Sequence, residues 1–139
     1  MAIKGFATNA LVAGESIESG NLIEYLEADE TIAKGIFVEL VTAGHVKAAK
    51  ATVGGPIGIA LKAGADGDVI PVLVRGIGTV TCDATGCALN DFIKPDANGK
   101  ADVAAFGTDD IVALAVSAGA ANGVAAVMLE AISKGPSSA

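Results

Sequence analysis

The sequence repeats itself, and the repeat has no gap: residues 33–74 lie over residues 88–129. In that register Ala33 meets Ala88, Phe37 meets Phe92, Gly44 meets Gly99 and Ala49 meets Ala104. Further on, Ala60, Gly64 and Ala65 meet Ala115, Gly119 and Ala120, and Val69 and Val72 meet Val124 and Val127. Identities at turn glycines and apolar strand positions mark one supersecondary unit used twice. The shared positions carry turns and core residues but no acids, bases or nucleophiles. What the repeat specifies is shape and contact.

Within each copy the turn signals divide short apolar runs. A strand near Ile36–Val41 turns at Ala43-Gly44 into Val46–Ala49, and Gly54-Gly55-Pro56 then breaks the chain. Ile57–Ala63 forms the next strand, and Asp66-Gly67 makes a hairpin into Val69–Arg75. Asn90-Asp91, Asn98-Gly99 and Asn122-Gly123 take the turn roles in the second copy. A shorter echo sets Ala13–Glu24 over Ala28–Glu39, each an apolar anchor, a glycine turn and a strand. Between the copies, Ile77–Cys87 reads as a connecting hairpin with Thr79–Thr81 as a strand. The Ala-rich segments Val46–Ala51 and Asp102–Phe106 have a second reading, as single helical turns. Regularly spaced strands of four to eight residues predict an all-β fold, a compact antiparallel barrel or sandwich built from the repeat. The expected organisation is an extended N-terminal arm over residues 1–12, one duplicated β domain over 13–134, and a solvated tail over 135–139.

Composition narrows the partners. A formal charge of −7 and nine scattered basic residues argue against DNA or RNA, whose phosphates need clustered Lys and Arg. An anionic membrane surface repels such a chain for the same reason. The uncharged run Ile111–Leu129 is nominally long enough for a membrane helix. Its centre carries Asn122-Gly123, however, and its counterpart at 56–74 carries Lys62, Asp66 and Asp68 in register, so a membrane span is not expected. The start of the chain lacks the uninterrupted apolar core of a signal peptide, because Thr8 and Asn9 intervene.

Residues able to do chemistry are few. His45 is the sole histidine; it follows the Gly44 turn, aligns with Lys100 and has no Ser or Cys beside it in sequence. Cys82 and Cys87 stand as C-x4-C, two sulfurs short of a zinc site and without the C-x-x-C spacing of a redox pair. Facing positions on a hairpin would suit a disulfide, whereas a reducing cytosol would keep both as free thiols. Asp96-Ala-Asn98-Gly99 lacks the remaining ligands of a calcium loop and reads as an Asx turn. Asp109-Asp110 and Asp66/Asp68 read as solvated turns, and neither Gly54-Gly55-Pro56 nor Gly76-Ile77-Gly78 carries the lysine of a phosphate loop. No catalytic, cofactor or metal-ligating set is expected.

The order Ile32-Ala-Lys-Gly35-Ile-Phe-Val38, Gly44-His-Val46-Lys-Ala-Ala49, Gly55-Pro56-Ile57-Gly58-Ile59-Ala60 and Gly67-Asp68-Val69-Ile70-Pro71-Val72 resembles the capsid cement, or head decoration, proteins of tailed bacteriophages. The resemblance spans about residues 13–130 and is carried by small and apolar residues. It implies a small all-β protein, made in the host cytoplasm and placed on the outer face of the virion. There it would bind the major capsid protein as a homotrimer and hold the expanded shell without enzymatic activity or cofactor. The family's extended N-terminal segment falls on the arm here, which makes Ile3 and Phe6 candidate capsid contacts. Two features depart from the family's pattern, the Cys82/Cys87 hairpin and the absence from Ile111–Ala115 of a glycine matching Gly58. A rival reading is a surface adhesive or carbohydrate-binding β module. Sugar platforms favour exposed aromatics, and this chain has no Trp and one Tyr, Tyr25.

Overall fold

The computed structural model describes residues 12–15, 21–49, 56–105, 108–109 and 111–133, with side chains to residue 129. Nine strands and no helix lie among the described residues. They are β1 (Leu22–Ala28), β2 (Phe37–Thr42), β3 (His45–Ala48), β4 (Gly58–Ala60), β5 (Val69–Thr81), β6 (Phe92–Pro95), β7 (Ala101–Val103), β8 (Ile111–Ala115) and β9 (Val124–Ser133). The fold is all-β, as the alternation and turn spacing predict.

The first five strands close on themselves. They are hydrogen-bonded in the order β1-β3-β2-β4-β5, and β1 pairs again with β5, which makes a five-stranded barrel. The second copy repeats this ladder by ladder. Phe37 faces Ile59 across β2–β4, and Phe92 faces Leu114 across β6–β8. Val38 faces Ala48 as Ile93 faces Val103, and Ala60 faces Val72 as Ala115 faces Val127. The isolated bridge Ile32↔Gly64 reappears as Cys87↔Gly119. The period of the sequence is therefore a period of strand register.

One strand serves both copies. β5 pairs with β1 and β4 through its first half, then with β9 from Gly76 to Thr81, and the parallel bridge Cys82↔Ala101 brings β7 back beside its end. The C-terminal half of β5 thus does for the second barrel what β1 does for the first, with Cys82 in the place of Ala28. The expected hairpin over Ile77–Cys87 does not form: β5 continues through Gly76 and Gly78 to Thr81. Gly76 holds a φ of +118° that side chains rarely adopt, and a Cβ there would also lie 1.8 Å from the Asn21 Oδ1; one at Gly78 would lie 2.5 Å from a Leu73 methyl. The alternative helical turns over 46–51 and 102–106 are also absent where described. Val46 is buried on β3 between half-buried neighbours, the two-residue alternation of a strand. Residues 50–51 and 106 lie outside the described set, as does the Gly54-Gly55 break.

Five strands leave room inside for small side chains only. The first barrel is filled by Ile32, Val38, Val46, Ala60, Ile70 and Val72, and register gives the second Cys87, Ile93, Ala101, Ala115, Ala125 and Val127. Alternate residues on β2, β4 and β5 point outward, yet Phe37, Ile59 and Leu73 are fully buried. They share a cluster with Val80, Ile93, Val127 and Leu129 of the second copy, and Leu73 packs against Gly78 at that barrel's end. One outer face of the first barrel plugs the open end of the second.

The turns differ between copies in a way the backbone explains. Gly35 and Gly67 have φ of +84° and +94°, and their counterparts Asn90 and Asn122 hold φ of +72° and +57°, asparagine being the side chain that tolerates this region best. The missing counterpart of Gly58 also has a reason. A Cβ at Gly58 would lie 2.1 Å from the Leu73 carbonyl oxygen, whereas Ala113 is buried in the second barrel with its methyl group accommodated.

Candidate functional site

The residues singled out for chemistry fall in three places. His45 opens β3 beside the end of β1, because β1 and β3 run parallel with Glu27 opposite His45. Its Nδ1 lies 2.7 Å from Asp29 Oδ1 and 3.9 Å from Glu27 Oε2. The hydrogen bond to Asp29 raises the imidazole pKa above its ordinary value; slight desolvation opposes this, and the charges of Asp29 and Glu27 reinforce it. Donor atoms of Glu27, Asp29 and His45 lie within 4.8 Å of one another. The trio is half-exposed, and its imidazole is held by carboxylates. Sequence reading missed the trio because only the parallel β1–β3 ladder, joining segments distant in sequence, brings it together.

Cys82 and Cys87 lie in the interior of the second barrel as free thiols, Cys82 buried and Cys87 half-buried. Burial pushes the Cys82 thiol up to about 12, with the neighbouring Cys87 adding to the shift. Burial raises Cys87 as well. They replace Ala28 and Ile32 of the first barrel and contribute packing. Thiols held this far toward the neutral form are poor nucleophiles and poor metal ligands.

The carboxylates act as turn caps. Asp96 accepts the backbone N–H groups of Asn98 (2.7 Å) and Lys100 (2.9 Å), the expected Asx turn. Asp68 accepts the Ala65 N–H at 2.9 Å, and Asp109 accepts the Ala105 N–H at 2.8 Å and Lys94 Nζ at 3.1 Å. Asp83 and Asp102 are neighbours: burial and the hydrogen bond to Asp83 raise Asp102 above its usual value. Desolvation opposes the fall at Asp83, but hydrogen bonds from Thr85 outweigh it and hold that carboxyl below its usual value. Asp110, Ile3 and Phe6 lie outside the described residues.

What the described surface offers is contact. Tyr25 is 70% exposed on β1, with Leu22 and Ile23 exposed beside it and Val69 across the ladder at the barrel's flank. A second exposed aromatic, Phe92, stands on β6 next to half-buried Leu114 and Met128. The apolar run Ile111–Leu129 is strand β8, a turn and strand β9. No helix among the described residues is long and apolar enough to cross a membrane.

No protein-family model and no curated protein matches the sequence. Among solved structures, the fold is similar to the crystal structure of the N base of head fibre gp8.5 in bacteriophage phi29, with a TM-score of 0.61 and 13% sequence identity. The likeness covers 79% of this chain and 94% of that one.

Proposed function

We propose that this chain is a structural virion protein that binds the outer surface of an icosahedral phage head, through the major capsid protein, and cements the expanded shell. The observation that carries the reading is the duplicated barrel itself. Nearly the whole of a phage head-fibre base superposes on it, and the carboxylates of Asp68, Asp96 and Asp109 cap its turns. A protein of this kind gains affinity from many weak contacts repeated over a symmetric lattice, which multiply when presented together. A homotrimer sited between capsomers supplies them, and the arm over residues 1–12, with Ile3 and Phe6, reaches the shell. The negative charge keeps the protein off packaged DNA. On this reading it is made in the host cytoplasm, joins the virion, needs no cofactor and has no enzymatic activity.

Co-sedimentation of the purified protein with expanded heads built from the cognate major capsid protein tests it. Saturable binding at a fixed number of copies per capsomer is expected, and loss of that binding on deletion of residues 1–12 while the β domain stays folded. Absence of binding to demonstrably expanded heads overturns the cement reading in favour of an adhesive module. Full occupancy by the truncated chain would remove the arm from it.

A further inference from the structure

Among the described residues, Glu27, Asp29 and His45 are the one group of three potential metal ligands whose donor atoms all lie within 4.8 Å of one another. The seam between β1 and β3 brings them together. Ala28 and Val46 are fully buried inside the barrel, so the two-residue alternation of a strand points their neighbours Glu27, Asp29 and His45 outward on one side. Backbone bonds fix the spacing: the Glu27 N–H donates to the Gly44 carbonyl and the Asp29 N–H to the Val46 carbonyl, each at 2.9 Å. The corner is anionic. Among the described residues neither carboxylate pairs with a lysine or arginine, and the imidazole is the partner they share. The second barrel shows that the fold does not require such a set. There the same backbone bond recurs, from the Asp83 N–H to the Ala101 carbonyl at 2.9 Å, with Thr81 and Lys100 in the places of Glu27 and His45. Asp83 turns its carboxylate to its own turn, accepting from Thr85 and Gly86, whereas Asp29 aims at the imidazole.

We propose that Glu27, Asp29 and His45 bind a divalent transition-metal ion of zinc's class through one imidazole nitrogen and two carboxylate oxygens, with water at the exposed fourth position. Zinc takes these donors at about 2.0–2.2 Å, so tetrahedral neighbours lie roughly 3.4 Å apart. His45 Nδ1 stands 2.7 Å from Asp29 Oδ1 and 3.9 Å from Glu27 Oε2, on either side of that spacing, and small side-chain rotations reach it. The ion takes the place of the hydrogen that joins Nδ1 to Asp29, and the displaced proton leaves to solvent or moves to Nε2. An imidazole nitrogen in the set selects zinc, nickel or cobalt over magnesium and calcium, which favour oxygen donors alone. The consequence is structural. β1 and β3 meet through only two register pairs, Glu27↔His45 and Ala28↔Val46, and an ion held from both sides clips that seam. It adds to a barrel whose backbone closes without it, and so acts as a fastener with no reaction attached.

Zinc titration of the full-length, untagged chain, stripped of metal beforehand, tests the site. His45 is the sole histidine, so nitrogen-15 spectra of the imidazole report it alone. Zinc chloride is expected to move the Nδ1 resonance saturably at one ion per chain, and to raise the melting temperature as its concentration rises, because the ion binds the folded chain. Magnesium chloride should do neither. Removing only an outer partner of a metal site weakens affinity about 10–100-fold, so loss of a direct ligand in Asp29→Asn or His45→Ala should cost at least about tenfold by calorimetry. Asp66→Asn, at an exposed turn carboxylate, should bind as wild type does. An Nδ1 resonance unmoved at millimolar zinc, magnesium bound as tightly as zinc, or wild-type affinity in folded Asp29→Asn overturns the proposal. Undiminished binding by His45→Ala places the zinc elsewhere, the barrel cysteines included, and overturns it equally. If a variant fails to fold by circular dichroism, the wild-type Nδ1 resonance decides alone. Shell binding is not involved, so either result leaves the virion reading standing.

Discussion

Truncating the same residue type at equivalent positions of the two copies measures what the joint between barrels contributes. Phe37 is fully buried at the plug, and Phe92 is 39% exposed on the same register of β6. Phe→Ala at a closed core site costs about 3–5 kcal/mol, because lost transfer energy is joined by an unfilled cavity. At Phe92 roughly 60% of a transfer term of about 1.5–3 kcal/mol is at stake, near 1–2 kcal/mol, and solvent fills the space. The pair should differ by about 2–3 kcal/mol, a large share of the roughly 5–15 kcal/mol that holds a typical domain together. For a chain of this size that corresponds to a Tm lower by roughly 10–20 °C for Phe37→Ala, against about 5 °C for Phe92→Ala. Urea unfolding followed by circular dichroism gives both values. Losses of equal size in the two variants would refute the claim that the second barrel seals the outer face of the first.

Three further outcomes follow from particular groups. Gly58→Ala should destabilise severely, by about 2–4 kcal/mol or to the point of non-folding, while Ala113→Gly costs about 1 kcal/mol; thermal melts showing equal tolerance would contradict the close β4–β5 approach. With its thiol pushed up to about 12, Cys82 should resist iodoacetamide at pH 8 in the native protein and react once unfolded, as mass spectrometry of the labelled peptide reports; fast native labelling would count against its burial. His45 has a raised pKa in the folded state, so the stability it contributes is fully present below its unfolded value of 6.5 and lost as pH rises through the raised one. The urea midpoint of wild type should fall over that interval relative to Asp29→Asn, and a parallel response of the two proteins would remove the His45–Asp29 link.

The repeat is the most legible feature because it is gapless: each insertion would have shifted strand register and turned core residues outward. Gly44, Asp66-Gly67, Asn98-Gly99 and Asn122-Gly123 all mark turns by the conformations they permit, and they lie where expected. The use of β5 twice was illegible. Gly76 and Gly78 carry the local signature of a break, and only tertiary neighbours, the Asn21 side chain and Leu73, show that the strand continues through them, with Gly76 at a φ of +118°. The joint was hidden for the same reason. Phe37 and Phe92 occupy equivalent positions of the repeat, and they differ in burial because the second barrel covers Phe37. Ala-rich β3 and β7 are too short for alternation to separate strand from helical turn, and closure of the barrels decides it. The Glu27–Asp29–His45 trio depends on a parallel ladder, and no local pattern announces one.

A strand that is a stave in two barrels alters how the molecule bears load. β5 runs for 13 residues, about 40 Å at strand rise, and is hydrogen-bonded first into one barrel and then into the other. Force applied to either barrel therefore reaches its neighbour along covalent backbone, with the side-chain plug in parallel. Stripping β5 from one barrel opens the other, so resistance to pulling should appear as a single rupture, with no successive yielding of two modules.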